Sequence, residues 1–186
     1  PQYHDQKYST SIYNHEDSNG DIDPRYNGNW GIYDGEYFSE RRNYYHKPVM
    51  NLNWEWEMDE KSSLGTVLYG SFGRGGGTGG IGGGRVRTES GLINFDATAA
   101  DTSATYIRRA SVNNHNWFGL VSKYKRDITD NIKFSVGTDL RRYYGDHFRQ
   151  VSSLLGRDSY EQGGSPRFPN GVSATTEYNA NPWSAL

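Results

Sequence analysis

The stretch "DSNGDID", residues 17–23, places Asp17, Asn19, Asp21 and Asp23 at alternate positions. Oxygen-bearing side chains at this spacing suit a calcium loop. The twelve-residue calcium pattern also wants Gly at its sixth position and Glu at its twelfth, where Ile22 and Gly28 stand. A Ca2+ site therefore stands as one reading and an Asx-rich surface turn as the plainer one. No other cofactor is implied. Glu55 and Glu57 form a carboxylate pair of the kind that serves acid–base catalysis, but no third group or cleft signal accompanies them. His115, Asp146, His147 and Ser153 supply the residue types of a hydrolase triad without a nucleophile-elbow motif around the serine. The run "GRGGGTGGIGGG", residues 73–84, lacks the Gly-Lys-Ser/Thr ending of a phosphate loop. No catalytic residue emerges, and the expectation is a protein that is not an enzyme.

Recognition chemistry is better represented. In "YNGNWGIYDGEYFSERRNYYH", residues 26–46, Trp30, Tyr33, Tyr37, Tyr44 and Tyr45 alternate with amides, carboxylates and guanidinium groups. Aromatic faces stack on sugars or peptides while the polar groups read hydroxyls and amides, so these five are the ligand-binding candidates. The competing reading packs them against one another or sets them at a membrane interface. Arg41 and Arg42, Arg108 and Arg109, and Arg141 and Arg142 come in pairs. They suit lipopolysaccharide phosphates or snorkelling side chains.

The elements that must carry these residues are strands. "NLNWEWEM" (51–58) sets Leu52, Trp54, Trp56 and Met58 against Asn51, Asn53, Glu55 and Glu57, a period of two. The same period predicts strands at about 49–58, 63–72, 113–125 and 132–144. In the last, Phe134, Val136 and Leu140 oppose Lys133, Ser135 and Arg141. Each segment spans about ten residues, the length of a tilted membrane strand, whereas soluble strands run to about 5–6. "DEKS" (59–62) and "RDITDN" (126–131) are short polar turns, while 1–47, 73–112 and 145–186 read as long loops. Short turns at one end and long loops at the other are the plan of an outer-membrane barrel. On that plan Leu52, Trp54, Trp56, Phe134, Val136 and Leu140 face lipid, and Glu55 and Glu57 face a wet interior.

Composition agrees with that plan and adds limits. The chain of 186 residues carries 15 Tyr, too aromatic for a disordered chain. A net charge of −2 gives no bias toward nucleic acid. Cysteine is absent, which excludes a disulfide frame, a Cys metal site and a thiol nucleophile. The chain opens "PQYHDQKYST", without a Met or a signal peptide, as a cut from something longer, or a mature or incomplete chain, would. Four strands cannot close in lipid, where the smallest barrels have about eight, so the expectation is a section of a larger barrel.

Three stretches carry a resemblance. "NNHNWFGLVSKYKRDITDNIKFSVGTDLRRYYGDHFRQVSSLLG" (113–156) resembles a barrel hairpin and outer loop of large TonB-dependent outer-membrane receptors, the kind related to SusC-like nutrient importers. "PQYHDQ" (1–6) and "YGSFGRGGGTG" (69–79) are similar to segments of the same receptors. The resemblance implies an all-β fold: an antiparallel transmembrane β-barrel segment from the middle of a 22-stranded barrel, with long extracellular loops. It implies the outer membrane of a Gram-negative bacterium and uptake of a nutrient such as a glycan, peptide or metal chelate. The implied partners are membrane lipid and lipopolysaccharide, TonB acting through a plug that this chain lacks, and a surface lipoprotein or other outer-membrane subunits, with no nucleic acid. Two other readings stand beside it: a receptor-like barrel used as a structural subunit of a multi-protein complex, and a secreted carbohydrate-binding β-sandwich.

Overall fold

A computed structural model describes residues 26–166 and 168–183, together with the backbone of residues 2–5. Among the described residues the chain is all-β apart from one short helix. Its strands, in order, are β1 (Gln2–Asp5), β2 (Trp30–Tyr33), β3 (Glu36–Ser39), β4 (Arg42–His46), β5 (Val49–Asp59), β6 (Ser62–Ile81), β7 (Ile93–Asn94), β8 (Ile107–Thr129), β9 (Ile132–Ser153), β10 (Tyr160–Gln162) and β11 (Val172–Ala174), with helix α1 (Phe95–Ala100) after β7. The principal sheet has the order β1-β4-β6-β8-β9, and β5 pairs with β6. It is open among the described residues. Among the described residues no helix is long and apolar enough to cross a membrane.

The four expected strands are present, and three are longer than their periodicity indicated. β6 continues through the glycine run to Ile81, β8 begins at Ile107, and β9 extends to Ser153. Much of the expected loop 73–112 is thus strand or helix. The expected loop 1–47 holds β2, β3 and β4, and 145–186 holds the end of β9 and the β10–β11 hairpin. Glycines have no side chains from which a face can be read, which conceals the end of β6. Their function there is close approach: a Cβ at Gly76 would collide with the carbonyl of Ser111, and one at Gly80 with the ring of Tyr106. Pro48, which has no N–H to give a ladder, separates β4 from β5. Its carbonyl still accepts from Phe72 N at 3.2 Å.

Residue contacts divide the chain into two compact units. The first comprises Pro1–Tyr45, Gly75–Val112 and His147–Leu186. It contains every buried apolar residue among those described. Ile93, Phe95, Tyr106 and Leu155 form one cluster, with Tyr33 and Phe38 packed on it. Tyr44, Ala110 and Val112 form a second, and Ile107, Val151 and Leu154 a third. β2 and β3 turn at Asp34–Gly35, both at positive φ, the geometry that Asp-Gly favours in two-residue hairpins. β7 runs parallel to β2. α1 starts where the Asn94 side chain accepts from Ala97 N at 2.9 Å, an N-cap that serves one of the helix's free donors.

The second unit comprises His46–Arg74 and Asn113–Asp146, in which β5, β6, β8 and β9 are neighbours in that order. β5 and β6 are antiparallel, joined at Asp59–Ser62, where Lys61 N donates to Asp59 Oδ1 at 2.8 Å. β8 and β9 turn at Asp130–Asn131, and Thr129 Oγ1 accepts from Asn131 N and Ile132 N. The first turn lies where the sequence places it; the second is narrower than the expected 126–131, because residues 126–129 continue β8 and only Asp130–Asn131 turn.

The faces of this sheet follow from its register. Leu52 pairs with Leu68, Trp54 with Thr66 and Trp56 with Leu64, and directly opposed residues share a face. Thr66 Oγ1 meets Ser122 Oγ at 2.9 Å, and the Phe72 and Phe118 rings are 5.3 Å apart. The even-numbered residues of β8 therefore join that face. On the other face Arg141 Nε donates to Tyr69 OH at 3.1 Å, and Trp117 meets Tyr143 edge-on at 5.7 Å. By alternation Phe134, Val136 and Leu140 return to the first face. One face is thus apolar and the other mixes aromatic, charged and amide groups.

Candidate functional site

Nothing in the second unit covers the apolar face. Leu52 is 65% exposed, Trp54 54%, Trp56 49%, Phe134 47%, Val136 53% and Leu140 61%. All of β5 is exposed on both faces, as is β9 from Ile132 to Arg149. No large apolar residue of this unit is buried among those described. A single-layer sheet with one apolar face cannot be stable in water alone, because a sheet must bury that face against another layer or an apolar solvent.

The opposite face is organised by cations over rings. Beside its bond to Tyr69, the Arg141 guanidinium lies 5.4 Å from the Trp117 ring centre, and Lys47 Nζ lies 5.8 Å from it. Such contacts hold a charge over the negative face of the ring. His115 approaches Tyr143 at 6.2 Å between ring centres. Gly119 makes room for Tyr69, since a Cβ there would collide with the phenol ring. Glu55 and Glu57 stand exposed on β5.

The triad raised by residue type is not brought together around His147 and Ser153. His147 and Ser153 lie on one strand six residues apart, a separation of about 20 Å at strand rise. Ser153 is buried and its Oγ accepts from Leu155 N at 3.2 Å. Among the described residues no three His, Asp or Glu side chains converge as metal ligands. Asp17, Asn19, Asp21 and Asp23 lie outside the described residues.

The five aromatic candidates are dispersed. Tyr44 is fully buried with Ala110 and Val112, so it packs the core and is closed to a ligand. This corrects its place among the binding residues. Strand alternation explains it: on β4 Tyr44 points inward while Tyr45, 44% exposed, points the other way. Burial holds the Tyr44 phenol above its usual pKa. Tyr33 packs beside Phe38, their rings 5.6 Å apart. Trp30 and Tyr37 meet edge-on at 4.8 Å across the β2–β3 hairpin, and of the two Tyr37 is the exposed one.

The arginine pairs divide by the same alternation. Arg108 stacks 4.0 Å over the Phe38 ring and donates to Ser39 O at 2.8 Å and Ser152 Oγ at 3.1 Å, a structural use. Arg142 lies 4.6 Å over Tyr144. Arg41 and Arg109 instead line a hollow of 340 Å³ in the first unit, with Asn43, Gly77, Gly79 and Ser111. The sequence signal for this hollow is Gly77 and Gly79 two positions apart, an absence of side chains along one strand face. A second cleft of 580 Å³, also in the first unit, is lined by Ile81, Ile107, Phe148, Tyr160 and Tyr178. Burial, then the guanidinium groups of Arg149 and Arg41, push the Arg109 guanidinium below its usual value.

In comparisons with known proteins the chain matches no family model, no curated protein and no solved structure.

Proposed function

We propose that this chain is part of the wall of a large outer-membrane β-barrel, a TonB-dependent receptor of the SusC-like kind that takes up a nutrient. The observation that carries the reading is the uncovered apolar face of the four-stranded sheet built from β5, β6, β8 and β9. Lipid is the solvent that such a face needs, and water is the solvent that the opposite face needs. β5, at 11 residues, has the length of a tilted bilayer crossing, and β6, β8 and β9, at 20 to 23 residues, are long enough to cross and continue beyond it. The first unit, with its own core, would form ordered structure on the loops, where substrate is met. The chemistry is binding and conformational coupling, with no catalytic step.

Expression from the full reading frame, followed by alkaline carbonate extraction of membranes, tests the reading. The expected protein stays in the membrane pellet and needs detergent to leave it. A protein that is monomeric and soluble without detergent would overturn it.

A further inference from the structure

We infer that the hollow between Arg41 and Arg109 is a binding site for a phosphate-bearing oxyanion. It is defined by residues of the first unit alone and does not depend on the receptor reading. Two guanidinium groups line it, Asn43 and Ser111 add an amide and a hydroxyl, and no carboxylate is among its lining residues. Arg109 donates through Nη1 to Ser111 Oγ, while its buried Nε has no hydrogen-bond partner. Guanidinium groups present planar sets of donors that match phosphate oxygens. Glu40, the buried carboxylate nearby in sequence, does not line the hollow: its Oε2 accepts from Arg85 Nη1 at 2.7 Å and its Oε1 from the backbone N of Gly80, a lining residue, at 3.4 Å, so its charge is paired with Arg85. Arg149 adds a third positive charge close to Arg109.

The floor makes this a site rather than a charged surface. Gly77 lets the Asn43 amide come close, since a Cβ there would meet Asn43 Oδ1 at 2.7 Å, and Gly79 leaves open space beside Arg41. At Gly79 an added Cβ would meet nothing nearer than the Arg41 Cζ, 4.0 Å away. A larger side chain at 79 would therefore grow toward Arg41 and into the hollow without removing a guanidinium group.

The bound group could be a soluble phosphate or the phosphate of a lipid headgroup, and two arms of one experiment separate these. The purified full chain is titrated calorimetrically with inorganic pyrophosphate and, separately, with lipopolysaccharide micelles, at matched ionic strength. Saturable binding in at least one arm is expected; pyrophosphate binding identifies a soluble ligand, and binding of lipopolysaccharide alone a lipid headgroup. Arg109→Gln and Gly79→Leu should each weaken binding about tenfold or more, as the loss of a hydrogen bond to a charged group implies. Arg126→Gln, an exposed arginine of the second unit, should leave it unchanged. Circular dichroism confirms that each variant keeps its strand content. No saturable binding in either arm, equal weakening by Arg126→Gln, or unchanged binding in Gly79→Leu would overturn the site.

Discussion

Trp54 and Trp56 stack on the uncovered face of β5, with ring centres 5.9 Å apart and planes 17° from parallel. Both side chains are about half exposed, and nothing else in the second unit covers them among the described residues. A pair of indoles two residues apart on a strand presents a broad apolar surface that is costly to leave in water. If that surface meets lipid, Trp54→Arg should lower the folded fraction in the outer membrane, at a cost of about 2–4 kcal/mol for a midplane arginine. Glu55→Arg, one residue on and facing the other way, should assemble normally. Heat-modifiable electrophoretic mobility reads both.

Gly119 and Tyr69 should be coupled. The phenol occupies the space that a side chain at 119 would need, and Arg141 holds its hydroxyl. Gly119→Val should destabilise by about 1–3 kcal/mol, the usual cost of overpacking. In a Tyr69→Ala background the same change should cost much less. A double-mutant cycle from urea unfolding measures the difference.

The first unit should depend on Phe95. Its ring is fully buried, 4.7 Å from Phe38 and 6.3 Å from Tyr106. Phe95→Ala should cost about 3–5 kcal/mol through lost burial and the cavity left behind. Chemical denaturation followed by tyrosine fluorescence would show it as an earlier transition.

Arg157 should pin the segment around α1. Its Nη1 donates to Tyr106 O at 3.0 Å, and its Nη2 to Thr98 O at 2.8 Å and Asp101 O at 3.3 Å. A lysine ammonium cannot reproduce that planar set of donors. Arg157→Lys should therefore raise amide exchange across residues 95–106 nearly as much as Arg157→Gln does. Full protection in the lysine variant would show that charge alone suffices.

The parts of this fold that were legible in sequence are those where the two faces of a strand differ in polarity. Leu52 through Met58, and Ile132 through Leu140, alternate so regularly that strand and face follow at once, while the pairing of Leu52 with Leu68 needed the structure. Gly75 through Gly80 are silent because a strand without side chains has no period. The short strands β2 and β3 lay hidden in an aromatic-rich segment, although Asp34–Gly35 between "WGIY" and "EYFS" is a hairpin signal. Tyr44 and Tyr45 look equivalent in sequence. Only the placement of β4 against Ala110 and Val112 assigns one to the core and leaves the other exposed. The hollow at Arg41 and Arg109 needed three strands to be aligned, which no local pattern encodes.

Cysteine is absent from these 186 residues, so a thiol introduced among them is the one thiol of this segment, and labelling measured against the unsubstituted protein tests the central claim directly. Single variants Leu52→Cys, Asn53→Cys, Trp54→Cys, Glu55→Cys, Val136→Cys and Gly137→Cys, in membranes, are treated with a water-soluble maleimide and, after labelling with a fluorophore, with a lipid-borne quencher. The account predicts a period of two: 52, 54 and 136 shielded from the maleimide and quenched from the lipid, 53, 55 and 137 labelled from water and unquenched. Equal labelling of all six from water would contradict it.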